Sequence, residues 1–375
     1  MLPTTLHLRS ETKPLERRSP LSPATAIDLL QAGYIVNVEK SQGRIYSDDE
    51  FVAVGVNLVP EGSWVNAPSG NIILGLKELP EDDSPLRHAH IQFGHCYKKQ
   101  EGSDRYLSRF ARGNGLLYDI EFLTGADGRR VAAFGYYAGY AGAAIALLAW
   151  SHQLLHPGTL LGPIPLFASA SALVQSVKTS VLEALPKNAT QPPRIIVIGA
   201  RGRCGTGAVD LCKSAGVPID SILQWDMEET AAGGPFSEVS SSDIFINCVY
   251  LGATPIPPFT TLKSLSEPGR KLRVICDVSA DPNNPNNPIP VYTKYSTFTK
   301  PTLPVAVDGD GPELTVISID HLPSLVAREA SDEFSASLLP SLMVLDRRKS
   351  EGVWTRAENI YREKVAELQD EKRSS

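Results

Sequence analysis

A glycine-rich segment and an acidic residue downstream of it carry the clearest chemical signal in this sequence. The segment Gly199-Ala-Arg-Gly202-Arg-Cys-Gly205 follows a short apolar run and precedes a helical pattern. Glycines there allow the backbone to approach a pyrophosphate closely just before a helix begins. Asp226, at the end of the next predicted strand, suits the ribose hydroxyls of NAD and would repel the 2′-phosphate of NADP. Arg203 weakens the preference for NAD over NADP, because an arginine could accept a 2′-phosphate. The alternative is a tight turn that binds no ligand. Together these residues predict an NAD site.

Two cysteines flank the same predicted site. Cys204 lies in the glycine segment, and Cys248 ends the run 243–248, which we take as the fourth strand of its sheet. In a sheet of order 3-2-1-4-5-6 the first and fourth strands are neighbours, ~4.8 Å apart. That spacing would place the two Cα atoms within the ~4.4–6.8 Å that a disulfide needs. The sequence therefore leaves two alternatives: a reversible Cys204–Cys248 disulfide, or two small buried residues beside a cofactor loop.

Strand and helix patterns alternate around these residues and predict a parallel α/β fold. Before residue 135, predicted strands at 6–9, 34–38, 71–76, 89–93 and 116–119 alternate with helices at 23–32, 48–54 and 104–112. After the connections 157–165 and 186–193, strands are predicted at 194–199, 219–225, 243–248, 273–278 and 314–319, with helices at 172–185 and 206–214. Five apolar positions at helical spacing predict a C-terminal helix that returns to the first domain: Ala357, Ile360, Tyr361, Val365 and Leu368.

Composition excludes several classes of protein. The 375 residues carry 36 Lys and Arg against 42 Asp and Glu, a net charge of −6, which disfavours a nucleic-acid partner. The apolar run 138–150 is shorter than the ~20 residues that span a membrane, so we expect no membrane partner and a buried helix between domains. Five cysteines without zinc spacing predict neither a disulfide scaffold nor a metal site. With no recognisable targeting signal we expect a cytoplasmic location, or a peroxisomal one if the C-terminus is clipped.

Ordered sequence blocks along the whole chain resemble one enzyme family. The N-terminal block Leu6-His-Leu-Arg-Ser-Glu-Thr-Lys-Pro is similar to the alanine dehydrogenase and transhydrogenase superfamily. Further blocks narrow the resemblance to the fungal saccharopine dehydrogenases (NAD, L-lysine-forming): Gly75-Leu-Lys-Glu-Leu-Pro, His90-Ile-Gln-Phe-Gly-His-Cys-Tyr-Lys, Gly128-Arg-Arg-Val-Ala-Ala-Phe-Gly, Asp243-Ile-Phe-Ile-Asn-Cys-Val-Tyr-Leu, Cys276-Asp-Val-Ser-Ala-Asp and Ser318-Ile-Asp-His-Leu-Pro.

This resemblance implies a fold and a reaction. The fold is two Rossmann-like, doubly wound parallel-sheet domains with the active site in the cleft between them. Residues 1–135 with 325–375 would form the substrate-binding domain, and 136–324 the NAD-binding domain. The reaction converts saccharopine, NAD and water into lysine, 2-oxoglutarate and NADH, the last step of the α-aminoadipate route to lysine. Members of the family work largely as monomers.

The resemblance also implies roles for individual residues. Lys77 matches the base that takes the proton of the secondary amine, and His95 matches the acid-base group for imine hydrolysis. Glu78 and Glu121 match acidic neighbours that moderate the charge of this pair. The implied substrate contacts are Arg18, Lys77, Gln100, Arg130, Phe134, Ser279, Ala280 and Asp281. The implied cofactor contacts are Arg129, Gly202, Arg203, Asp226, Thr230, Tyr250, Val278, Ile319, Asp320, His321 and Leu322.

Two other functions remain open at this point. An amino-acid dehydrogenase of the alanine dehydrogenase type would share the N-terminal block and a lysine–histidine pair. A non-catalytic NAD-binding protein would keep the glycine segment and Asp226, but it would have no need of both Lys77 and His95.

Overall fold

The computed structural model describes residues 3–80, 82–98, 102–250, 255–280, 282, 284 and 286–374, with side chains up to residue 370. Contacts divide the chain into two compact units, residues 1–133 with 327–375 and residues 134–326. The predicted domain boundaries lie within two residues of these bounds.

The first unit opens with alternating strands and helices. They are β1 (Thr5–Leu8), α1 (Pro23–Gln31), β2 (Ile35–Glu39), α2 (Asp48–Ala53), β3 (Asn57–Val59), β4 (Ile72–Leu74), β5 (Ala89–Gln92), α3 (Ser103–Gly113) and β6 (Leu116–Asp119). Local sequence explains the helix starts: Ser22 caps α1 and Ser47 caps α2, each through a reciprocal capping box.

The six strands of the first unit form one parallel sheet in the order β3-β2-β1-β4-β5-β6. Leu6 on β1 pairs with Val36 on one side and Ile72 on the other. All three side chains are buried. The order reverses between β1 and β4, so the crevice at their carboxyl ends is the switch point where doubly wound sheets bind ligands.

The second unit contains α4 (Gly135–Leu155), α5 (Ala170–Ala184), β7 (Ile195–Ile198), α6 (Arg203–Ser214), β8 (Ile222–Trp225), α7 (Met227–Thr230), α8 (Ser237–Ser241), β9 (Ile244–Asn247), α9 (Leu262–Leu265), β10 (Val274–Asp277), β11 (Leu303–Val305) and β12 (Leu314–Ile317). Its sheet has the order β11-β12-β10-β9-β7-β8, and only the edge strand β11 is antiparallel. Ile195 and Val197 face one core while Ile196 and Ile198 face the other, as a sheet covered on both sides requires.

The structure confirms the expected pair of doubly wound, Rossmann-like sheets. Three local predictions were wrong. The strand predicted at 219–225 begins only at Ile222, because Ile219–Ser221 form a short 3-10 helix. The strand that precedes Cys248 is the third of its sheet in chain order rather than the fourth, although it does pair with β7. Helix α6 begins at Arg203 instead of residue 206, because Gly202 already serves as its N-cap residue.

The small-residue run predicted to be a buried helix is the centre of α4, which packs against α5 and α6 within the second unit. Glycines permit a very close approach of α4 to α6. A Cβ atom on Gly139 would lie 1.8 Å from the Cys204 carbonyl oxygen, and one on Gly207 would lie 1.9 Å from that of Tyr136. Over the described ranges, no helix combines the length and apolar character needed to cross a membrane.

Two more helices, α10 (Ala327–Leu342) and α11 (Gly352–Ser374), belong to the first unit. Helix α11 packs on β6 and α3: Trp354 lies 5.0 Å from Tyr118 between ring centroids, and the Tyr361 hydroxyl donates to the Gly115 carbonyl at 3.0 Å. Six elements were not predicted from the sequence: β3, β11, α7, α8, α9 and α10. The two strands have only three residues each, too few to show a period.

Candidate active site

Lys77 lies just beyond the carboxyl end of β4, at the switch point of the first sheet. Its backbone is fixed by residues that follow β1. The amides of Leu76 and Lys77 donate to the Glu11 carboxylate at 2.6 and 3.0 Å, and the Lys77 carbonyl accepts a hydrogen bond from the Arg9 guanidinium. The lysine therefore occupies a defined position instead of a mobile surface loop.

The surroundings of the Lys77 side chain favour a neutral amine. The residue is 9% exposed, and burial lowers the pKa of its ammonium group. The positive charges of Arg18 and Lys13 lower that pKa further, against the opposing effect of Glu16 and Glu78. A lysine with a depressed pKa supplies a general base closer to neutral pH than an exposed lysine does.

Arg18 stands beside this lysine in a buried pair with Glu16. Its Nε and Nη2 atoms donate to the two Glu16 carboxylate oxygens at 2.8 and 2.6 Å. Burial would raise the pKa of Glu16, but the charge and hydrogen bonds of Arg18 outweigh burial and lower it. Glu16 was not predicted as a site residue, because its only local signal is its position two residues before Arg18.

His95 follows β5 in a left-handed backbone conformation, with φ of 48°. Its ring stacks on Phe93 at 6.1 Å, and Nδ1 lies 3.4 Å from a carboxylate oxygen of Glu78. Burial would raise the pKa of Glu78, but the contact with His95 outweighs burial and holds that pKa at about 2. Glu78 therefore pairs with the imidazole of His95, and its negative charge also acts on the Lys77 ammonium group.

The imidazole of His95 borders a cavity of about 560 Å³ within the first unit. Glu78, Gly94, Ser103 and Tyr106 also line it. The His95 side chain is 43% exposed, so it can exchange protons with a molecule in that space. Glu121, the second predicted acidic neighbour, accepts from Lys98 Nζ at 2.6 Å.

Two further predicted residues of the first unit, Arg129 and Arg130, lie after strand β6. Arg130 forms an antiparallel bridge with Thr124, in the segment that follows Glu121. The exposed side chain of Arg129, predicted to bind cofactor, lies 4.0 Å from Asp127. Gln100 and Asp281 lie outside the described residues. Phe134 belongs to the second unit, where it is the N-cap residue of α4.

The glycine turn of the second unit fits a dinucleotide. Gly199 follows β7 with φ of 85°, and a Cβ atom there would lie 2.9 Å from the Cys248 backbone. A Cβ atom on Gly205 would lie 2.2 Å from the Gly199 carbonyl oxygen. At Gly202 no side chain caps the twelve-residue helix α6, so its first N–H groups are not covered by a capping group in the described structure. These features form a backbone cradle for a pyrophosphate.

Asp226 follows β8 on the same sheet edge, as predicted. Its carboxylate accepts from the Arg201 and Met227 amides at 3.0 and 2.9 Å, and the Thr230 hydroxyl donates to its carbonyl at 2.9 Å. The Arg201 guanidinium pairs with Glu228 and Glu229 at 3.3 and 3.1 Å. Arg203 was the predicted competing cation, and Arg201 was not predicted, although both lie in the glycine segment.

The other predicted second-unit residues follow strands β9, β10 and β12. Tyr250 is exposed, whereas Ile319 and Leu322 are buried in the core. Ser279 donates to the Val249 carbonyl at 2.5 Å, and Ala280 has φ of 44°. Val278 precedes them, and Asp320 contacts His321 Nδ1 at 2.5 Å. All these segments leave the carboxyl edge of the second sheet, which is the edge that binds nucleotides in this architecture.

Cys204 and Cys248 are both free thiols in the structure. A hydrogen bond with Cys204, together with burial, raises the pKa of the Cys248 thiol. The two side chains are therefore neighbours, and a disulfide between them stays a prediction. Among the described residues, no group of three or more His, Cys, Asp or Glu side chains is arranged to hold a metal ion.

Comparison with known proteins identifies the family. Residues 7–141 match the family described as alanine dehydrogenase/PNT, N-terminal domain. The chain is 56% identical over 368 residues to "Saccharopine dehydrogenase [NAD(+), L-lysine-forming]" of Neurospora crassa, covering 98% of each. It is 57% identical over 367 residues to the enzyme of that name from Emericella nidulans, covering 96% of this chain and 97% of the relative.

Solved structures agree at the level of the fold. An L-alanine dehydrogenase superposes with a TM-score of 0.67 at 15% identity, covering 97% of this chain and 100% of the other. A transhydrogenase from Sinorhizobium meliloti gives a TM-score of 0.63 at 15% identity, covering 94% and 97%. Similarity at this level shows a shared fold alone. Because near-full-length relatives exceed half identity, the chain belongs to the saccharopine dehydrogenase [NAD(+), L-lysine-forming] family.

Proposed function

We propose that this protein catalyses the NAD-dependent oxidation of L-saccharopine to L-lysine and 2-oxoglutarate. The observation that carries the proposal is the placement of Lys77 and the Glu78–His95 pair at the carboxyl edge of the first sheet. A buried lysine with a lowered pKa and a half-exposed histidine supply two proton-transfer groups. The glycine turn and Asp226 of the second unit would bind NAD.

Lys77 would act first, on the secondary amine of saccharopine. The neutral lysine takes the proton of the amine, so that the nitrogen lone pair is available to form a carbon–nitrogen double bond. The glycine turn at Gly202 and Asp226 would hold NAD, whose chemistry would be to take up the hydride lost from the carbon beside that nitrogen. Arg18 contributes here in two ways: its charge adds to the effect of burial in lowering the pKa of Lys77, and a guanidinium is well suited to hold a carboxylate.

His95 would serve the hydrolysis of the resulting imine. Water must lose a proton as it attacks the imine carbon, and the departing lysine amine must gain one. One imidazole can carry out both transfers because it is a base in one step and an acid in the next. Glu78 lies 3.4 Å from Nδ1 of His95, where its negative charge would stabilise the imidazolium that forms in each cycle.

Recognition of saccharopine requires several cations, since the substrate carries three carboxylates. Arg18 and Arg130 are the proposed partners in the first unit. Ser279 and Ala280 of the second unit follow β10, at a carboxyl edge where ligands commonly bind. That the enzyme acts as a monomer in the cytoplasm stays a prediction of the sequence.

The first test replaces the proposed base. Lys77→Met should lower turnover with saccharopine by ~10²–10⁴-fold, the usual contribution of an acid-base group, while NAD affinity stays near that of the wild type. Turnover is read from NADH absorbance and NAD affinity from a binding titration. The activity that rises with pH as Lys77 loses its proton should also disappear in the variant.

Lys364→Met is the matched control, because Lys364 lies on α11 and pairs only with Glu367 among the ion pairs of the described residues. It should leave both measurements unchanged. A primary amine added to the Lys77→Met variant should restore part of the lost turnover. Near-normal turnover in Lys77→Met would show that the base has been assigned wrongly.

A further inference from the structure

Asp119, which neither the sequence analysis nor the reaction above uses, ends strand β6 with a buried carboxylate. The residue is 1% exposed. Its Oδ2 atom accepts from the Gly94 amide at 3.2 Å, and Oδ1 accepts from the Glu121 amide at 2.9 Å. One carboxylate therefore bridges the segment that leads into His95 and the turn that contains Glu121.

The hydrogen bond to Gly94 restrains the segment that leads into His95. His95 has φ of 48°, a conformation that side-chain-bearing residues rarely adopt without support from their surroundings. Gly94 also packs tightly: a Cβ atom there would lie 2.7 Å from Leu117 Cδ2 and 3.1 Å from Asp119 Oδ2. The Asp119 carboxylate thus sets where the backbone of His95 begins.

Several ionisable groups face this carboxylate. Glu121 lies in the turn after β6, two residues beyond Asp119. His95, Cys96 and Tyr97 lie in the segment after β5. Burial raises the pKa of Asp119 to about 6, even though its backbone hydrogen bonds and His95 lower it. The ionised form, which accepts both amide hydrogens, therefore destabilises the folded state. Destabilising groups of this kind are expected where a residue is retained for function.

We propose that ionised Asp119 is a positioning residue, which holds His95 and Glu121 in their working geometry and releases both segments when it is protonated. This inference rests on the proposed function, in which His95 transfers protons. Asp119 itself acts only through the two backbone amides that it binds.

The test combines Asp119→Asn with a pH profile. Asparagine keeps the shape but can accept only one of the two amide hydrogens. We expect kcat to fall on the order of 10–100-fold, as a slight misplacement of a catalytic group does. We also expect loss of the ionisation near pH 6 from the profile of kcat/KM. Asp49→Asn, an exposed substitution in the same unit, should change neither.

Thermal unfolding at pH 8 separates positioning from a structural role. Because the pKa of Asp119 is raised in the folded state, its ionised form opposes folding above pH 6. Removal of the buried charge offsets the loss of one amide acceptor, so the asparagine variant should melt close to the wild type while losing turnover. Unchanged kcat, or a melting temperature that falls together with kcat, would overturn the proposal.

A measurement on the wild type covers the case in which the variant does not fold. Hydrogen exchange of the Gly94 and Glu121 amides, corrected for intrinsic rates, should become faster as pH falls through about 6, while amides of β1 stay protected. Unchanged protection would contradict the proposal. Normal turnover of His95→Gln would instead refute the proposed function, so the two failures are distinguishable.

Discussion

Substitution of Gly139 by alanine tests the contact that positions the dinucleotide turn. In an isolated helix this change stabilises, because alanine is favoured over glycine by ~1 kcal/mol. In α4 the added Cβ atom would lie 1.8 Å from the Cys204 carbonyl oxygen and 3.1 Å from the Ala208 amide nitrogen. Both are backbone atoms of α6, which cannot rotate away, so the two helices would have to separate.

The clash decides the sign of the effect. Overpacking of this kind costs about 1–3 kcal/mol or more, which exceeds the gain in helix propensity. For a unit of this size each kcal/mol shifts the melting temperature by ~2–4 °C, so we expect a fall of several degrees. Cys204 belongs to the first turn of α6, and its displacement misdirects the N–H groups that would hold the pyrophosphate. NAD affinity should fall about tenfold, equivalent to ~1.4 kcal/mol.

Gly135→Ala provides the matched control on the same helix. Its Cβ atom would lie 3.4 Å from the Arg203 Cβ, an ordinary contact with the same partner helix. Melting curves and NADH-fluorescence titrations of the two variants make the comparison. If Gly139→Ala melts and binds like Gly135→Ala, the two helices do not approach as closely as the structure indicates, and the reasoning is refuted.

Two further predictions concern ionised carboxylates, one in each unit. Burial would raise the pKa of Glu39, but hydrogen bonds from His7 and three backbone amides outweigh burial and lower it. Its carboxylate therefore adds stability at neutral pH, and this stability is lost as the pH falls below the pKa of Glu39 in the unfolded chain. Glu39→Gln should melt at a lower temperature than the wild type at pH 7, and the two melting temperatures should converge in acid. A constant difference in melting temperature across pH would contradict this prediction. In the second unit, Glu228→Gln should raise NADP affinity several-fold and leave NAD affinity unchanged, because it frees Arg201 from one of its two carboxylates for a 2′-phosphate beside Asp226. Competition binding measures both affinities, and an unchanged ratio would show that Arg201 has no part in cofactor choice.

Local sequence was sufficient to predict features whose causes lie within a few residues. Ser22 before an amphipathic run predicts the start of α1, because its hydroxyl caps an amide three residues ahead. The buried strand that leads into Gly199 and Gly202 predicts the cofactor turn, since its requirement for glycine is a property of one short backbone segment. The starting residue of α6 was misplaced because a cap without a side chain has no sequence signature.

Contacts between distant parts of the chain determined how the site residues are positioned. Glu11 binds the amides of Leu76 and Lys77, and Asp119 binds that of Gly94. These bonds join the carboxyl ends of neighbouring strands, which are adjacent only after the sheet has formed. The close approach at Gly139 likewise depends on α4 meeting α6. Sequence alone therefore determined the residue types, the strand and helix pattern and the cofactor turn. Only the tertiary structure determined which charges surround Lys77 and which carboxylate holds the segment of His95, because burial and electrostatic coupling depend on distances that residue spacing does not encode.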